Sequence, residues 1–249
     1  MVDYKCRKYQ KQVNSFIEIF NSTDSKYKLR IAETSDDLDS LPTSEANKRV
    51  EKYLNLIDEN LGKFYNLYNG IINEIDETTL KNDTKGEFRW QEFKLHEMIS
   101  TTGLFYIDVL QDNEFLGFFS FNVADYSLLK DVDKNIPKKR KLTFFDKPKN
   151  GNKKRNIFYL MEIQLASKAS RKGLGKAIFE DFIFNICREE NFDIEFVCFC
   201  ENTQGNGFYK KIGIPMVEDF KLTYVSEEMS EVINIYRMGN ENIPSEKTK

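Results

Sequence analysis

The chain has 249 residues, of which 40% are hydrophobic and 31% charged, and its formal net charge is −3. This composition supports a globular core, and the few glycines (12) and prolines (5) argue against a fibrous or disordered protein. The near-neutral charge argues against nucleic-acid binding driven by the charge of the whole molecule. We expect no membrane-spanning segment and no secretory leader, and therefore a protein of a reducing intracellular compartment.

Hydrophobic periodicity predicts the elements of the first half of the chain. The stretch VNSFIEIF predicts a leading helix, and YKLRIAET (27–34) alternates as a strand does. Helical spacing runs from Thr43 to about Asn69 and again over 87–99. Two apolar runs around QDNE, within 102–125, predict a β-hairpin.

The second half of the chain begins with a break in the pattern. Residues 126–155 are polar and strongly basic, and we interpret them as an insertion between two strands. IFYLMEIQLA is almost entirely apolar and predicts a strand that is buried on both faces. The elements predicted after it are a helix over 176–190, a strand over 193–200, a short helix ending at Gly213 and two strands within 217–238.

Together these elements predict an α/β fold in which a mixed sheet carries helices on both faces. We expect an N-terminal extension over 1–26, one domain over 27–240 and a flexible tail over 241–249. The cysteines match no zinc-ligand pattern and are expected to be reduced, buried thiols, so no metal is predicted. They are Cys6, Cys187, Cys198 and Cys200.

The segment ASRKGLGKA (169–177) joins a predicted strand to a predicted helix. The first backbone N–H groups of a helix are free and favour an anion, and Gly173 and Gly175 would let a diphosphate approach the backbone. Arg171, Lys172 and Lys176 add positive charge. The alternative is a tight turn with solvated basic side chains. The spacing is neither that of a Walker loop nor G-x-G-x-x-G, which argues against an ordinary nucleotide site.

Glu162 is the one acid inside the apolar strand. A buried carboxylate is costly unless it has a partner or a task, so Glu162 is a candidate general base, with a structural role as the alternative. Further along, Asn202 follows a strand, and Tyr209 lies at the start of a helix. Tyr209 is a candidate proton donor, and the alternative is an aromatic residue at the edge of the core.

These residues resemble the GCN5-related N-acetyltransferase (GNAT) superfamily. SRKGLG (170–175) is similar to its cofactor motif, and the N…FYKKIG pattern (202–213) is similar to its second signature. Ser170 is a departure, because the family usually has Arg or Gln there. More narrowly, FYLMEIQLASKASRKGLGKAIFEDF resembles the N-alpha-acetyltransferase D family, which acetylates the N-terminal serine of core histones. The likeness covers about 27–240 and is strong over 157–213.

The resemblance implies a GNAT fold, with a splayed, mostly antiparallel sheet, and acetyl-coenzyme A as the co-substrate without a metal. Glu162 would act as general base through a water, and Tyr209 would protonate the departing thiolate. The implied cofactor-binding residues are Ile163, Gln164, Leu165, Arg171, Lys172, Gly173, Leu174, Gly175, Lys176, Asn202 and Tyr209. The implied substrate-binding residues are Tyr65, Trp90, Asn122, Asp125, Tyr159 and Met161. Met161, Asn122 and Ala124 depart from the family, and the last two put the histone tail in question.

The implied partners are protein N-termini, above all histone tails that start Ser-Gly, and possible contact with the ribosome; no membrane and no direct DNA binding is expected. PKKRK (137–141) has the composition of a nuclear-import signal, so we expect the protein in both nucleus and cytoplasm. We also expect a monomer. A solvated basic loop is the alternative for that segment. Two other functions stay open: acetylation of another amine, on an internal lysine or a small molecule, and non-catalytic binding of acyl-coenzyme A.

Overall fold

The computed structural model describes residues 5–23, 26–68, 90–125, 156–217 and 232–245. The predicted basic insertion 126–155, and with it PKKRK, lies outside the described residues. The first of the two strands predicted within 217–238 also falls on residues outside them.

The bounds of the helices and strands follow the predicted order. Helices α1 to α6 span Lys5–Ser22, Ser35–Asp39, Thr43–Leu67, Trp90–Ser100, 174–189 and Thr203–Lys211. Within α5, α-helical Leu174–Ala177 and Phe184–Glu189 flank a π-helical segment, Ile178–Ile183. Strands β1 to β6 span Tyr27–Thr34, Phe105–Gln111, Glu114–Asp125, Asn156–Leu165, Asp193–Phe199 and Ile233–Met238. The predicted strands, the hairpin and the helices are thus confirmed where they fall on described residues, with one correction: α6 begins at Thr203, so Tyr209 lies near the end of this helix and not at its start.

The six described strands form one sheet in sequence order, from β1 to β6. All neighbours are antiparallel except β4 and β5, which are parallel and are joined through α5. Pairing of β4 with β5 covers only Ile157–Tyr159 against Asp193–Glu195. Beyond Tyr159 the two strands separate, and no other strand of the described residues pairs with that edge of β4. The sheet is therefore mixed and splayed, as predicted.

Two hydrophobic clusters cover the two faces of the sheet. One joins α1 and α5 to the first face through residues such as Val13, Phe20, Phe179 and Phe182. The other joins α2, α3 and α4 to the opposite face. Its central residues include Val50, Tyr53, Trp90, Tyr106 and Phe118. Helices on both faces were predicted, and the structure confirms them.

Burial along β4 corrects one prediction. Ile157 and Phe158 are fully buried, but from Tyr159 onward buried residues alternate with half-buried ones. The change begins where the pairing of β4 with β5 ends. A β-bulge falls in the same stretch: Ser120 pairs with Glu162 while Phe121 pairs with Leu160, which leaves Met161 unpaired.

The two ends of the described chain pack on this core. α1 buries Cys6, Val13 and Phe20, and its Asn21 side chain bonds the backbone of Leu29 on β1. In the predicted tail, Ile243 is buried. None of the described helices is both long and apolar enough to cross a membrane.

Candidate active site

Glu162 lies on the α3–α4 side of the sheet and is 8% exposed. Its Oε1 is 2.5 Å from Lys94 Nζ, and its Oε2 accepts a 2.8 Å hydrogen bond from Gln164 Nε2. Lys94 also contacts Glu97, with Nζ to Oε2 at 2.7 Å. The carboxylate is therefore ion-paired and oriented through both of its oxygens.

Gln164 connects this carboxylate to helix α3. Asn60 Nδ2 donates to Gln164 Oε1 at 3.0 Å and to the backbone oxygen of Leu165 at 3.2 Å. The side chain of Gln164 is thus fixed at both ends by protein groups. Gln164 is predicted to bind the cofactor, and in this structure its side chain donates a hydrogen bond to Glu162.

An aromatic wall stands beside Glu162 near the end of α3. The ring of Tyr65 stacks on Trp90, with centroids 4.4 Å apart, and meets Phe199 edge-on at 5.0 Å. Burial raises the pKa of Tyr65 far above its usual value, although Lys94, which hydrogen bonds to it, acts in the opposite direction. Trp90 is 1% exposed and lies behind Tyr65. Of the two, Tyr65 is therefore the residue placed to meet an acceptor.

The other predicted substrate residues lie along β3 and β4. Asn122 pairs with Tyr159, two positions beyond the Ser120–Glu162 pair, so Tyr159 and Glu162 share one face. Asn122 Oδ1 is buried and has no hydrogen-bond partner among the described residues. Burial raises the pKa of Tyr159, with a contribution from Glu195. Asp125 pairs with Asn156 at the far end of β3, away from Glu162.

The glycine segment forms a turn that opens α5. Arg171 (φ 59°) and Gly173 (φ 82°) are both left-handed, and a Cβ on Gly173 would meet nothing within 4 Å. A Cβ on Gly175 would come within 3.3 Å of Phe208. Lys172 and Lys176 are exposed, and Leu174 anchors the turn in the core. The turn places exposed cations at the start of α5, where an anion site would lie.

Ser170 carries a contact that the sequence did not suggest. Gln204 Nε2, in the first turn of α6, is 3.4 Å from Ser170 Oγ. The side chain of Gln204 thus reaches the glycine turn from α6, next to Ser170. At this position the GNAT motif that the sequence resembles usually has a longer polar residue.

The second signature places Asn202 and Tyr209 on α6. Asn202 caps this helix, because its Oδ1 accepts the N–H of Gly205 at 3.0 Å. Tyr209 is 8% exposed and packs among Phe179, Phe196 and Tyr236. Burial raises the pKa of Tyr209 well above its usual value, with smaller contributions from Cys198 and Glu162. Its hydroxyl therefore keeps its proton at neutral pH.

Sequence reasoning missed Lys94 and Asn60. The signal for Lys94 is its spacing: Trp90, Lys94 and Met98 fall four residues apart on one helical face, and all three are buried. A charged residue in the middle of a buried stripe needs a buried partner. Nothing in the sequence of α3 marks Asn60.

The cysteines are predicted to be reduced, buried thiols. The four cysteines are free, and Cys6, Cys187 and Cys198 are buried, whereas Cys200 is half-buried just after β5. Burial raises the pKa of Cys6 to about 11 and that of Cys198 to about 12. Among the described residues, no group of three or more His, Cys, Asp and Glu side chains could hold a metal ion.

No protein-family model and no curated protein matches the sequence. Similar solved structures include PaiA N-acetyltransferase from Thermoplasma acidophilum in complex with coenzyme A (TM-score 0.42, 13% identity, covering 85% of this chain and 99% of that one). Ribosomal-protein-S5-alanine acetyltransferase from Vibrio fischeri has a TM-score of 0.42 and 13% identity, over 90% of this chain and 98% of that one. Arabidopsis thaliana NAA60 in complex with a bisubstrate analogue has a TM-score of 0.36 and 10% identity, over 73% and 92%. Likeness at this level carries no argument about what the chain binds.

Proposed function

We propose that this protein transfers an acetyl group from acetyl-coenzyme A to the N-terminal α-amine of a protein. The observation that carries the proposal is the position of Glu162. It lies on β4 three residues beyond Tyr159, where β5 leaves the strand, and it faces the aromatic wall of Tyr65. The carboxylate is thereby held where β4 and β5 separate, between the edge of β4 that β5 leaves unpaired and the aromatic side chain of Tyr65.

Two features fit acetyl-coenzyme A. The β4 edge over 163–165 has no partner on β5, so its backbone is available to an extended amide-containing arm. The turn at 171–176 combines left-handed Gly173 with exposed cations, which suits a diphosphate. When bound, acetyl-coenzyme A would supply the activated thioester. The chain's own residues would hold it, exclude water and move the protons.

Proton transfer is assigned to two residues. An α-amine has a pKa near 8 and is partly neutral at physiological pH. Glu162, through a water, would take the proton from the amine as it attacks the thioester carbonyl. Tyr209, whose hydroxyl stays protonated, would give a proton to the thiolate that leaves and regain one from solvent, which receives the proton that Glu162 took up.

The acceptor would be a protein N-terminus that starts Ser-Gly, as histone tails do. Tyr65, Tyr159 and the unpartnered Oδ1 of Asn122 line the α3–α4 side where it would lie. A monomer in nucleus and cytoplasm, with possible ribosome contact, belongs to the same proposal.

The test is a peptide screen with acetyl-coenzyme A, in which release of free thiol is measured. Peptides that begin Ser-Gly-Arg are compared with N-blocked versions that contain internal lysines. Activity on the free N-terminus is expected, and activity only on the blocked peptides would overturn the proposal in favour of lysine acetylation.

Glu162→Gln tests the assigned base. We expect unchanged affinity for coenzyme A and a turnover number at least ~10²-fold lower. Glu59→Gln is the matched control, because Glu59 is exposed on α3. An undiminished turnover in Glu162→Gln would remove Glu162 from the reaction.

A second candidate is a non-catalytic acyl-coenzyme A binder. The ion pair with Lys94 favours it, since a carboxylate held through both oxygens also fits a purely structural role. Binding of coenzyme A by calorimetry without peptide-dependent thiol release would identify this function.

A further inference from the structure

Lys94 is a buried cation at the centre of the candidate site. Lys94 is 5% exposed, and its ammonium lies 2.5 Å from Glu162 and 2.7 Å from Glu97. It also forms a hydrogen bond with Tyr65. A buried ammonium with three partners is fixed in place, and so are the groups that it contacts.

The contacts continue beyond Lys94 into one chain of polar groups. One oxygen of Glu162 forms an ion pair with Lys94, and the other accepts a hydrogen bond from Gln164. Gln164 in turn accepts a hydrogen bond from Asn60. The chain therefore links α4, β4 and α3 across the mouth of the split. Its members lie on three different elements, so the position of the Glu162 carboxylate depends on how these elements pack.

Several titratable groups interact with Glu162. Burial keeps the aromatic hydroxyls and the thiol that surround it neutral, because it raises the pKa of each one. These groups are Tyr65, Tyr106, Tyr159, Cys198 and Tyr209. Burial also works against the charge of Lys94, but Glu162 and Glu97 outweigh it and hold the pKa of Lys94 well above its usual value. Lys94 therefore stays cationic through the physiological range.

We propose that Lys94 is the positioning residue of the general base: it places a fixed positive charge against the Glu162 carboxylate and fixes its Oε1, so that Glu162 can take up the acceptor's proton. This inference rests on the proposed function. Lys94 keeps its own proton throughout. The proton that leaves the amine passes by way of the water to Glu162 and from there to solvent.

Lys94→Met tests this role, because it removes the ammonium and keeps an unbranched apolar stem. We expect kcat to fall by ~10–10²-fold while the KM for acetyl-coenzyme A changes by less than about threefold. The pH profile separates positioning from packing. Below pH 8 the logarithm of kcat/KM should rise more steeply with pH in the variant, since both the amine and the unpaired carboxylate must then lose a proton.

A second measurement does not depend on activity. In the cofactor-free variant, a buried carboxylate without its cation binds a proton more tightly when folded than when unfolded. Its stabilising effect is then present at low pH and lost as the pH rises. The unfolding free energy of Lys94→Met should therefore fall more from pH 5 to pH 8 than that of the wild type.

A double-variant cycle decides whether Lys94 acts through Glu162. In the Glu162→Gln background, Lys94→Met should lower kcat no further. Lys94→Arg should retain the wild-type slope, and Glu92→Gln, at an exposed position of the same helix α4, is the matched control. A second full loss in the double variant, or a Lys94→Met enzyme equal to the wild type, would overturn the role of Lys94. A wild type that transfers acetyl to no peptide would instead overturn the proposed function, and this role with it.

Discussion

Tyr65 stacks face to face on Trp90, with ring centroids 4.4 Å apart and an interplanar angle of 11°. The side of Trp90 also lies against Gly62, where a Cβ would be 3.6 Å from its Cζ2. Trp90 is the single tryptophan of the chain. Its fluorescence therefore reports on the wall that we assign to the acceptor.

Tyr65→Ala is expected to shift the tryptophan emission to longer wavelength and to lower the unfolding free energy by about 2 kcal/mol, because the stack and the packing are lost. It should also raise the KM for the acceptor peptide. Tyr65→Phe should keep the emission of the wild type. Tyr68→Ala is the control, since Tyr68 stacks on Phe199 at 5.8 Å. An emission spectrum equally altered in Tyr68→Ala would contradict this assignment.

Glu195 should make the stability depend on pH. It is 3% exposed, and burial, opposed by Arg237 and aided by Asp193, raises its pKa from 4.5 to about 8. The folded protein thus binds this proton more tightly than the unfolded chain. The stability gained is full below about pH 4.5 and is lost as the pH rises through about 8.

Chemical unfolding from pH 5 to pH 9 measures this effect. The wild type should lose stability over that range, by at most about 5 kcal/mol for the whole shift. Glu195→Gln should flatten the curve, because it removes the titrating group. Glu189→Gln is the control, since Glu189 is exposed at the end of α5. Parallel curves for the wild type and Glu195→Gln would refute the shifted pKa.

The glycine turn allows a matched pair of variants. Gly173 and Gly213 both have φ of 82°, and at neither position would a Cβ meet another atom within 4 Å. Alanine at either site therefore costs backbone strain without a clash, about 1–2 kcal/mol. Only Gly173→Ala should also weaken the binding of coenzyme A in isothermal titration. Equal affinity in the two variants would show that coenzyme A does not use this turn.

Strand β4 and helix α4 show which features of the structure can be predicted from the sequence. The apolar run predicted β4, and QDNE predicted its neighbouring hairpin, whose turn uses left-handed Asp112 (φ 50°) and Asn113 (φ 64°). The bulge at Met161 was not predictable, because one unpaired residue leaves no mark on an apolar run. It shifts Glu162 onto the face that also bears Tyr159, so it determines what the carboxylate contacts.

The partner of Glu162 was harder to foresee for another reason. Lys94 precedes Glu162 by 68 positions in the chain, and their contact depends on how α4 crosses the sheet. Spacing within α4 marks Lys94 as buried but does not identify its partner. The π-helical segment of α5 is likewise hidden, since its apolar residues fit ordinary helical spacing.

The buried carboxylate of Asp108, on β2, has three partners that we expect to contribute unequally to the free energy of unfolding. It is 1% exposed and is contacted by Arg30 at 2.9 Å, by Lys52 at 2.9 Å and by the Tyr53 hydroxyl at 2.8 Å. Arg30 is 63% exposed, whereas Tyr53 is fully buried. Burial raises the pKa of Tyr53 far above its usual value, so its hydroxyl stays a donor.

The loss of unfolding free energy, measured in urea, should be smaller for a variant of the exposed partner than for a variant of the buried one. Arg30→Ala should cost at most about 1 kcal/mol, because an exposed ion pair is screened by water. Tyr53→Phe should cost about 1.5–3 kcal/mol, because a buried hydrogen bond to a charged group is lost. Asp108→Asn should cost the most, about 3–5 kcal/mol, since it weakens the contacts with Arg30, Lys52 and Tyr53 at once. If Arg30→Ala proved as costly as Tyr53→Phe, burial would not be what sets the strength of these contacts.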